Sequence, residues 1–271
     1  MIPAVDKFYR ARITKRREVS SDLWVIRADP GGAYPYVPGQ YATLGVVTPG
    51  KHLERAYSIV SAPHEGFLEF FIELVPHGEV TPKLYPFKVG DEITLRKAAK
   101  GRFTLNTATG CTNHLLLATV TGVAPFVSFV RSLYHQGQTA KTAALNKLYL
   151  IDGASRSKEL GYREELTRIA SEVPWLTYVP TVSRPWDDPS WKGETGRVDD
   201  LVRKYTDSWG LTPENTVTYL CGHPTMLENT KGILKRRGWQ NDALKEEAYF
   251  VPGKTTAESK PAENIGILQP A

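Results

Sequence analysis

The chain has little of several things that would decide its chemistry early. Among 271 residues there are two cysteines, Cys111 and Cys221, far apart in sequence. Two thiols make neither a disulfide framework nor an iron–sulfur site, which needs four thiolates or an equivalent set. No zinc-ligand spacing is present, and a reducing compartment fits best. No apolar run approaches membrane-spanning length, and the N-terminus lacks the apolar stretch of a signal peptide. A cytoplasmic protein without membrane insertion is therefore expected. Long runs of one charge are also missing. Basic residues gather only at Arg10, Arg12, Lys15, Arg16 and Arg17 and again at Lys231, Lys235, Arg236 and Arg237. No zinc-finger, helix-turn-helix or RNA-binding sheet motif accompanies them, so nucleic acid is not an expected partner.

What is present is an ordinary globular composition with a mild basic excess, net charge +5 and pI about 9.0. Such an excess favours acidic partners: phosphates or an acidic protein. The chain then changes grammar near Gly110. Before it, short stretches rich in β-branched and aromatic residues (8–19, 22–29, 40–47, 55–62, 66–75, 91–99) alternate with Gly, Pro and polar turns. That pattern predicts an antiparallel β-barrel with one short helix near Thr81–Phe87. After it, continuous apolar runs (114–120, 147–154, 176–183, 216–222) alternate with helical spacing (123–136, 157–173, 195–206, 224–238). That alternation predicts a parallel sheet covered by helices. The expected division is a β-barrel domain at 1–108 and an α/β domain at 109–250. A tail rich in Pro, Lys, Glu and Ala follows at 251–271.

Five motifs carry chemistry. In Arg55-Ala56-Tyr57-Ser58 a guanidinium suits a pyrophosphate, a phenol ring can cover a flat ring system, and a hydroxyl can bond a ring nitrogen. Downstream, Gly78, Val80 and Thr81 open the short helix, where backbone N–H groups suit phosphate. Thr121-Gly122-Val123-Ala124-Pro125 lies between a buried strand and a helix, the place where a dinucleotide approaches the backbone. Ser183, Arg184 and Arg197 follow strand ends that carry ligands in α/β folds. Cys221-Gly222 with Pro224 and Met226 ends a strand and begins a helix. Taken alone, Cys221 reads equally well as a small buried hydrophobe. Ala248 and Tyr249 close the last strand.

In this order, the motifs resemble those of the ferredoxin–NADP reductase family, and of its bacterial branch in particular. The resemblance covers roughly residues 7 to 250. It implies an FAD-binding antiparallel barrel of Greek-key type followed by an NADP(H)-binding α/β domain. It implies that Arg55, Gly78, Val80 and Thr81 hold the FAD pyrophosphate, while Ala56, Tyr57 and Ser58 meet the flavin. It places Thr121 to Pro125, Cys221, Gly222, Pro224 and Met226 at the coenzyme's nicotinamide and pyrophosphate. Ser183, Arg184 and Arg197 would take the 2′-phosphate, and Ala248 and Tyr249 would lie against the flavin. Ser58 and Cys221 are the residues implied at hydride transfer. The partner implied is ferredoxin or flavodoxin, an acidic electron carrier. The family's motif begins Gly-Thr-Gly, and this chain has Val120 at the first glycine. An oxygenase reductase component, an NAD(P)H–cytochrome reductase and a non-catalytic FAD-binding module are the alternative readings.

Overall fold

A computed structural model of the chain describes residues 7–140 and 146–249. The tail expected at 251–271 lies outside the described residues.

Alternation of apolar and polar residues builds the first sheet. Its strands are β1 (Phe8–Glu18), β2 (Leu23–Asp29), β3 (Tyr41–Thr48), β4 (Lys51–Ser58), β5 (Leu68–Glu73) and β6 (Glu92–Arg96). They pair antiparallel in the order β4-β3-β6-β1-β2-β5. Just past β4, the Val60 N–H donates to the Glu69 carbonyl of β5 at 2.9 Å. The two ends of the order thus meet, and the sheet curls toward a barrel. One face of each strand supplies its interior, with Ile13, Trp24, Ile26, Leu44, Phe70 and Ile72 buried together. The short helix α1 (Thr81–Leu84) follows β5.

The second sheet joins β7 (Asn113–Thr119), β8 (Lys147–Ala154), β9 (Leu176–Val182), β10 (Glu194–Thr195), β11 (Thr216–Gly222) and β12 (Leu244–Ala248). All its pairings are parallel, in the order β10-β9-β8-β7-β11-β12. Helices α2 (Ala124–Ala140), α3 (Arg163–Glu172), α4 (Val198–Ser208) and α5 (Pro224–Arg236) cover it. Leu116 of β7 packs with α2 and α3, while Leu115 and Leu117 pack with α4 and α5. Both faces are therefore apolar, which is why the strands read as unbroken hydrophobic runs. The chain leaves β7 toward β8 and later returns on its other side as β11. The strand order reverses there, and such a reversal opens a crevice at the C-terminal strand ends.

Two local expectations change. The helix expected over 157–173 is a 3-10 turn at Ser157–Glu159 followed by α3 from Arg163. The Glu159 carboxylate takes the N–H groups of Ser155 and Arg156 at 3.0 and 3.1 Å, so the turn closes on itself before the helix begins. The one-sided apolar face expected over 123–136 is buried all round in its first half. This half of α2 is wedged against the first sheet, where the Ser128 hydroxyl donates to the Ser61 carbonyl at 2.7 Å.

A charged cluster ties the two sheets together. Arg131 of α2 reaches Glu69 of β5 at 3.1 Å, Glu65 at 3.3 Å and Glu165 of α3 at 2.7 Å. Arg27 pairs with Glu69 at 2.6 Å, and the Tyr162 hydroxyl donates to it at 3.0 Å. Burial alone would push the Glu69 carboxyl up; Arg131 and Arg27 outweigh burial and hold it below the usual range. No helix among the described residues is long and apolar enough to cross a membrane.

Candidate functional site

The end of β4 places Arg55, Ala56, Tyr57 and Ser58 along one cleft of about 240 Å³, faced by Phe71, Glu73, Gly78, Val80 and Thr81. The turn before α1 is set by local bonds. The Gly78 N–H donates to the Val75 carbonyl at 2.8 Å, and the Val75 N–H donates to the Thr81 hydroxyl at 2.9 Å. Arg55 is exposed and has no ion pair among the described residues. The Tyr57 hydroxyl and the Ser58 Oγ are buried with no hydrogen-bond partner. Burial pushes the Tyr57 phenol up, against the nearby Arg55 charge. Two orphaned polar atoms on one wall are costly unless a ligand answers them.

A second cleft, about 320 Å³, opens at the reversal point. Its wall includes Thr119, Val120, Thr121, Ser183, Arg197, Gly222, Pro224, Thr225 and Met226. Main chain forms much of it. A Cβ on Gly122 would overlap the Cys221 carbonyl oxygen, and one on Gly222, at φ +131°, would overlap the Thr119 hydroxyl. Only glycine fits either place. Val120, where the family motif has glycine, sits at φ +49° and is the one non-glycine residue with positive φ among those described. A β-branched residue there costs about 1–3 kcal/mol and persists only when its surroundings hold it. Its side chain packs against Ala154, Leu160 and Val182.

Not every expected residue reaches a wall. Val123, Ala124 and Pro125 are buried behind the turn, packed rather than facing the cleft. Arg184 is exposed just beyond the rim, and neither it nor Arg197 has an ion pair among the described residues. Cys221 is fully buried and lies one layer back, beside Glu247 and the Tyr249 hydroxyl; burial pushes its thiol well up. Ala248 is exposed and lines neither cleft.

The two clefts meet. Glu73, Thr121 and Tyr249 line both. The Tyr249 N–H donates to the Gly222 carbonyl at 3.3 Å, which sets the ring between the two openings. Its hydroxyl lies near Ser58 and Cys221 and, like the Glu247 Oε2, is buried without a hydrogen-bond partner. Burial raises the Glu247 carboxyl to about 7. Glu73 and His223 line the clefts and Glu247 lies behind them beside Cys221; none of the three was singled out as a site residue from the sequence. Glu247 stands opposite Cys221 in the strand register. Its signal was present in the chain as a carboxylate inside a strand next to a buried partner strand. No group of residues that could hold a metal ion occurs among the described residues.

The residues fit a flavin nucleotide on one side and a dinucleotide on the other. Orphaned hydroxyls and a free guanidinium line the first, and glycine cradles and the Arg197 guanidinium line the second. Comparison with known proteins agrees. The family model for the oxidoreductase FAD-binding domain matches residues 10–105, and that for the oxidoreductase NAD-binding domain matches 116–232. The chain is 30% identical over 264 residues to ferredoxin–NADP reductase A of Sorangium cellulosum, covering 92% of this chain and 93% of the relative. It is 31% identical over 255 residues to a flavodoxin/ferredoxin–NADP reductase of Buchnera aphidicola, covering 92% and 97%. A solved ferredoxin–NADP+ reductase from Neisseria gonorrhoeae with bound FAD and NADP superposes with a TM-score of 0.77 at 25% identity, covering 90% of this chain and 99% of that one. The chain is thus an oxidoreductase with FAD- and NAD(P)-binding domains, and it belongs to the ferredoxin–NADP reductase family.

Proposed function

We propose that the protein passes electrons between NADP(H) and a small acidic carrier, ferredoxin or flavodoxin. The observation that carries this reading is the meeting of the two clefts at Thr121, Glu73 and Tyr249. FAD held by Arg55, Tyr57 and Ser58 would supply the chemistry, two-electron exchange with the coenzyme and one-electron exchange with the carrier.

The chain's own residues supply position and electrostatics. The free Arg55 fork holds a pyrophosphate, with Gly78, Val80 and Thr81 framing it. Tyr57 presents its ring, Ala56 leaves room beside it, and the unpartnered Ser58 hydroxyl bonds a ring nitrogen. Gly122 and Gly222 let a dinucleotide approach the main chain near Thr121, with Pro224 and Met226 at the start of α5 as the far wall. Val123, Ala124 and Pro125 brace that turn from behind. Ser183, Arg184 and Arg197 take a 2′-phosphate, which favours NADP(H) over NAD(H). Tyr249 excludes water from the junction, and Cys221 and Ala248 fix where its ring stands. The basic excess favours an acidic carrier and governs on-rate and salt dependence more than affinity. We also divide the chain near residue 108, the FAD half before it and the coenzyme half after.

The test is the visible absorption spectrum of the purified protein, followed anaerobically as NADPH and then NADH are added. A two-band flavin spectrum that bleaches much faster with NADPH is expected. A colourless protein that takes up no FAD, or a flavin that ignores both coenzymes, overturns the reading.

A further inference from the structure

Three residues line both clefts: Thr121, Tyr249 and Glu73. Of these, only Glu73 is of a type that carries a charge near neutrality. It is the last residue of β5 and pairs with Leu23 of β2; beyond it, the Leu74 N–H donates to the Asp22 carbonyl at 2.7 Å. The strand end is thereby fixed, and the residue is exposed where the two clefts join. Hydride passes only between rings in contact, so it must pass where the clefts meet. The group that stands beside Glu73 therefore belongs to the reacting end of a ligand.

The other carboxylates that line the clefts are already engaged. Glu54 pairs with Arg96 at 2.5 Å, Glu79 pairs with Lys51 at 2.8 Å, and Asp199 accepts from the Asn229 amide at 2.7 Å. Glu73 meets neither a cation nor a hydrogen-bond donor among the described residues. Loss of water around it and the like charges of Asp22 and Glu159 push its carboxyl above the usual range. A carboxylate in such company repels phosphate and attracts a cation. The pyrophosphates of both nucleotides therefore stand elsewhere, beside Arg55 or the main-chain glycines. Of the coenzyme's parts, the oxidised nicotinamide ring is the cationic one. Loss of a hydride, one proton with two electrons, leaves the neutral reduced ring with a single positive charge.

We propose that Glu73 is the counter-ion of the coenzyme's oxidised nicotinamide ring, so that the site tells the two redox states of the coenzyme apart by charge. The proposal rests on the NADP(H) reading above and extends it to a residue outside the motifs. It predicts a division of labour. Arg184 and Arg197 face phosphate, which is the same in both redox states, and so serve both. Glu73 serves the oxidised state alone and thereby favours hydride leaving the coenzyme over hydride returning to it.

The experiment titrates three ligands into the FAD-loaded protein by calorimetry at pH 8, for the wild type, Glu73→Gln and Glu73→Asp. NADP+ carries the charged ring. Its 1,4,5,6-tetrahydro analogue carries a neutral ring and has no hydride to give. The third ligand, 2′,5′-ADP, has no nicotinamide. In Glu73→Gln, which keeps the size and removes the charge, NADP+ binding weakens roughly 3- to 20-fold, while the other two ligands change by less than about 2-fold. Glu73→Asp, which keeps the charge, retains most of the wild-type preference, and both variants keep the wild-type flavin content. Unchanged NADP+ binding in Glu73→Gln overturns the proposal. So does equal weakening of NADP+ and the tetrahydro analogue, which would make Glu73 a hydrogen-bond acceptor without regard to ring charge. Loss of FAD with coenzyme binding intact would put the carboxylate on the flavin and overturns it too. In each of these cases wild-type binding of 2′,5′-ADP leaves the NADP(H) reading standing. If the wild type binds none of the three ligands, that reading fails and the proposal with it.

Discussion

On the Arg55–Ser58 side the cleft is walled by side chains standing on the face of a strand, whereas on the Thr119–Gly122 side it is walled by main chain at strand ends. The first wall leaves hydroxyls unpartnered and has space among them. The second leaves no space, since Gly122 and Gly222 each abut backbone or a strand-end hydroxyl. The difference teaches which kind of change each wall feels. Side-chain deletion should act on the first, and the addition of a single methyl group on the second.

The largest effect is expected from Gly122→Ala. The added methyl must displace the Cys221 carbonyl, and a shift of about 1 Å at a transfer site costs on the order of 100-fold in rate. Stopped-flow reduction by NADPH measures it; a near-normal rate would mean that the turn yields and that the two walls are alike. Next is Arg55→Ala, which deletes a charged contact worth about 1.5–3 kcal/mol. Flavin content after gel filtration reads it, and full retention removes Arg55 from the pyrophosphate. Arg184→Ala tests whether the coenzyme wall has any side-chain component. KM should rise roughly 10- to 100-fold for NADPH and little for NADH, and an equal rise for both takes Arg184 away from the 2′-phosphate.

The last test concerns acidity at the junction and reads stability rather than the reaction. Glu247 is raised by burial to about 7 from an ordinary 4.5. The folded chain therefore holds its proton after the unfolded chain has lost it. This group's contribution to stability is fullest below about pH 4.5, falls as pH rises to about 7, and is flat above. The fall is at most about 3 kcal/mol. Glu69, held low by its arginines, contributes in the opposite sense. Thermal melts across that range should show a shallower decline for Glu247→Gln, and identical profiles would show that Glu247 is solvated in solution.

Much of this was legible in the sequence. The two sheets announced themselves because alternation and continuous apolar runs reflect whether one face or both faces of a strand are buried. Gly122 and Gly222 were legible because each answers a steric constraint that no other residue type meets. The 3-10 turns at Val120–Val123 and Ser157–Glu159 were not, since three- and four-residue spacings look alike over one turn. Nor was the fate of Val123, Ala124 and Pro125, because a motif marks what surrounds a ligand without separating the wall from its support. Glu247 escaped because its proton affinity comes from burial beside Cys221, a neighbour 26 positions away in the chain.

The Arg131 cluster bears on how such proteins can be recombined. Its members come from both sides of residue 108: Glu65, Glu69 and Arg27 from one, Arg131, Tyr162 and Glu165 from the other. A graft that joined the first half of this chain to the second half of a relative would leave Glu69, 3% exposed, facing whatever the relative carries at Arg131. Arg27 would remain beside it, but a buried carboxylate that loses one of its two arginines is costly to keep. The halves are thus exchangeable only as holders of a matched set, and the cluster works as a compatibility key between them.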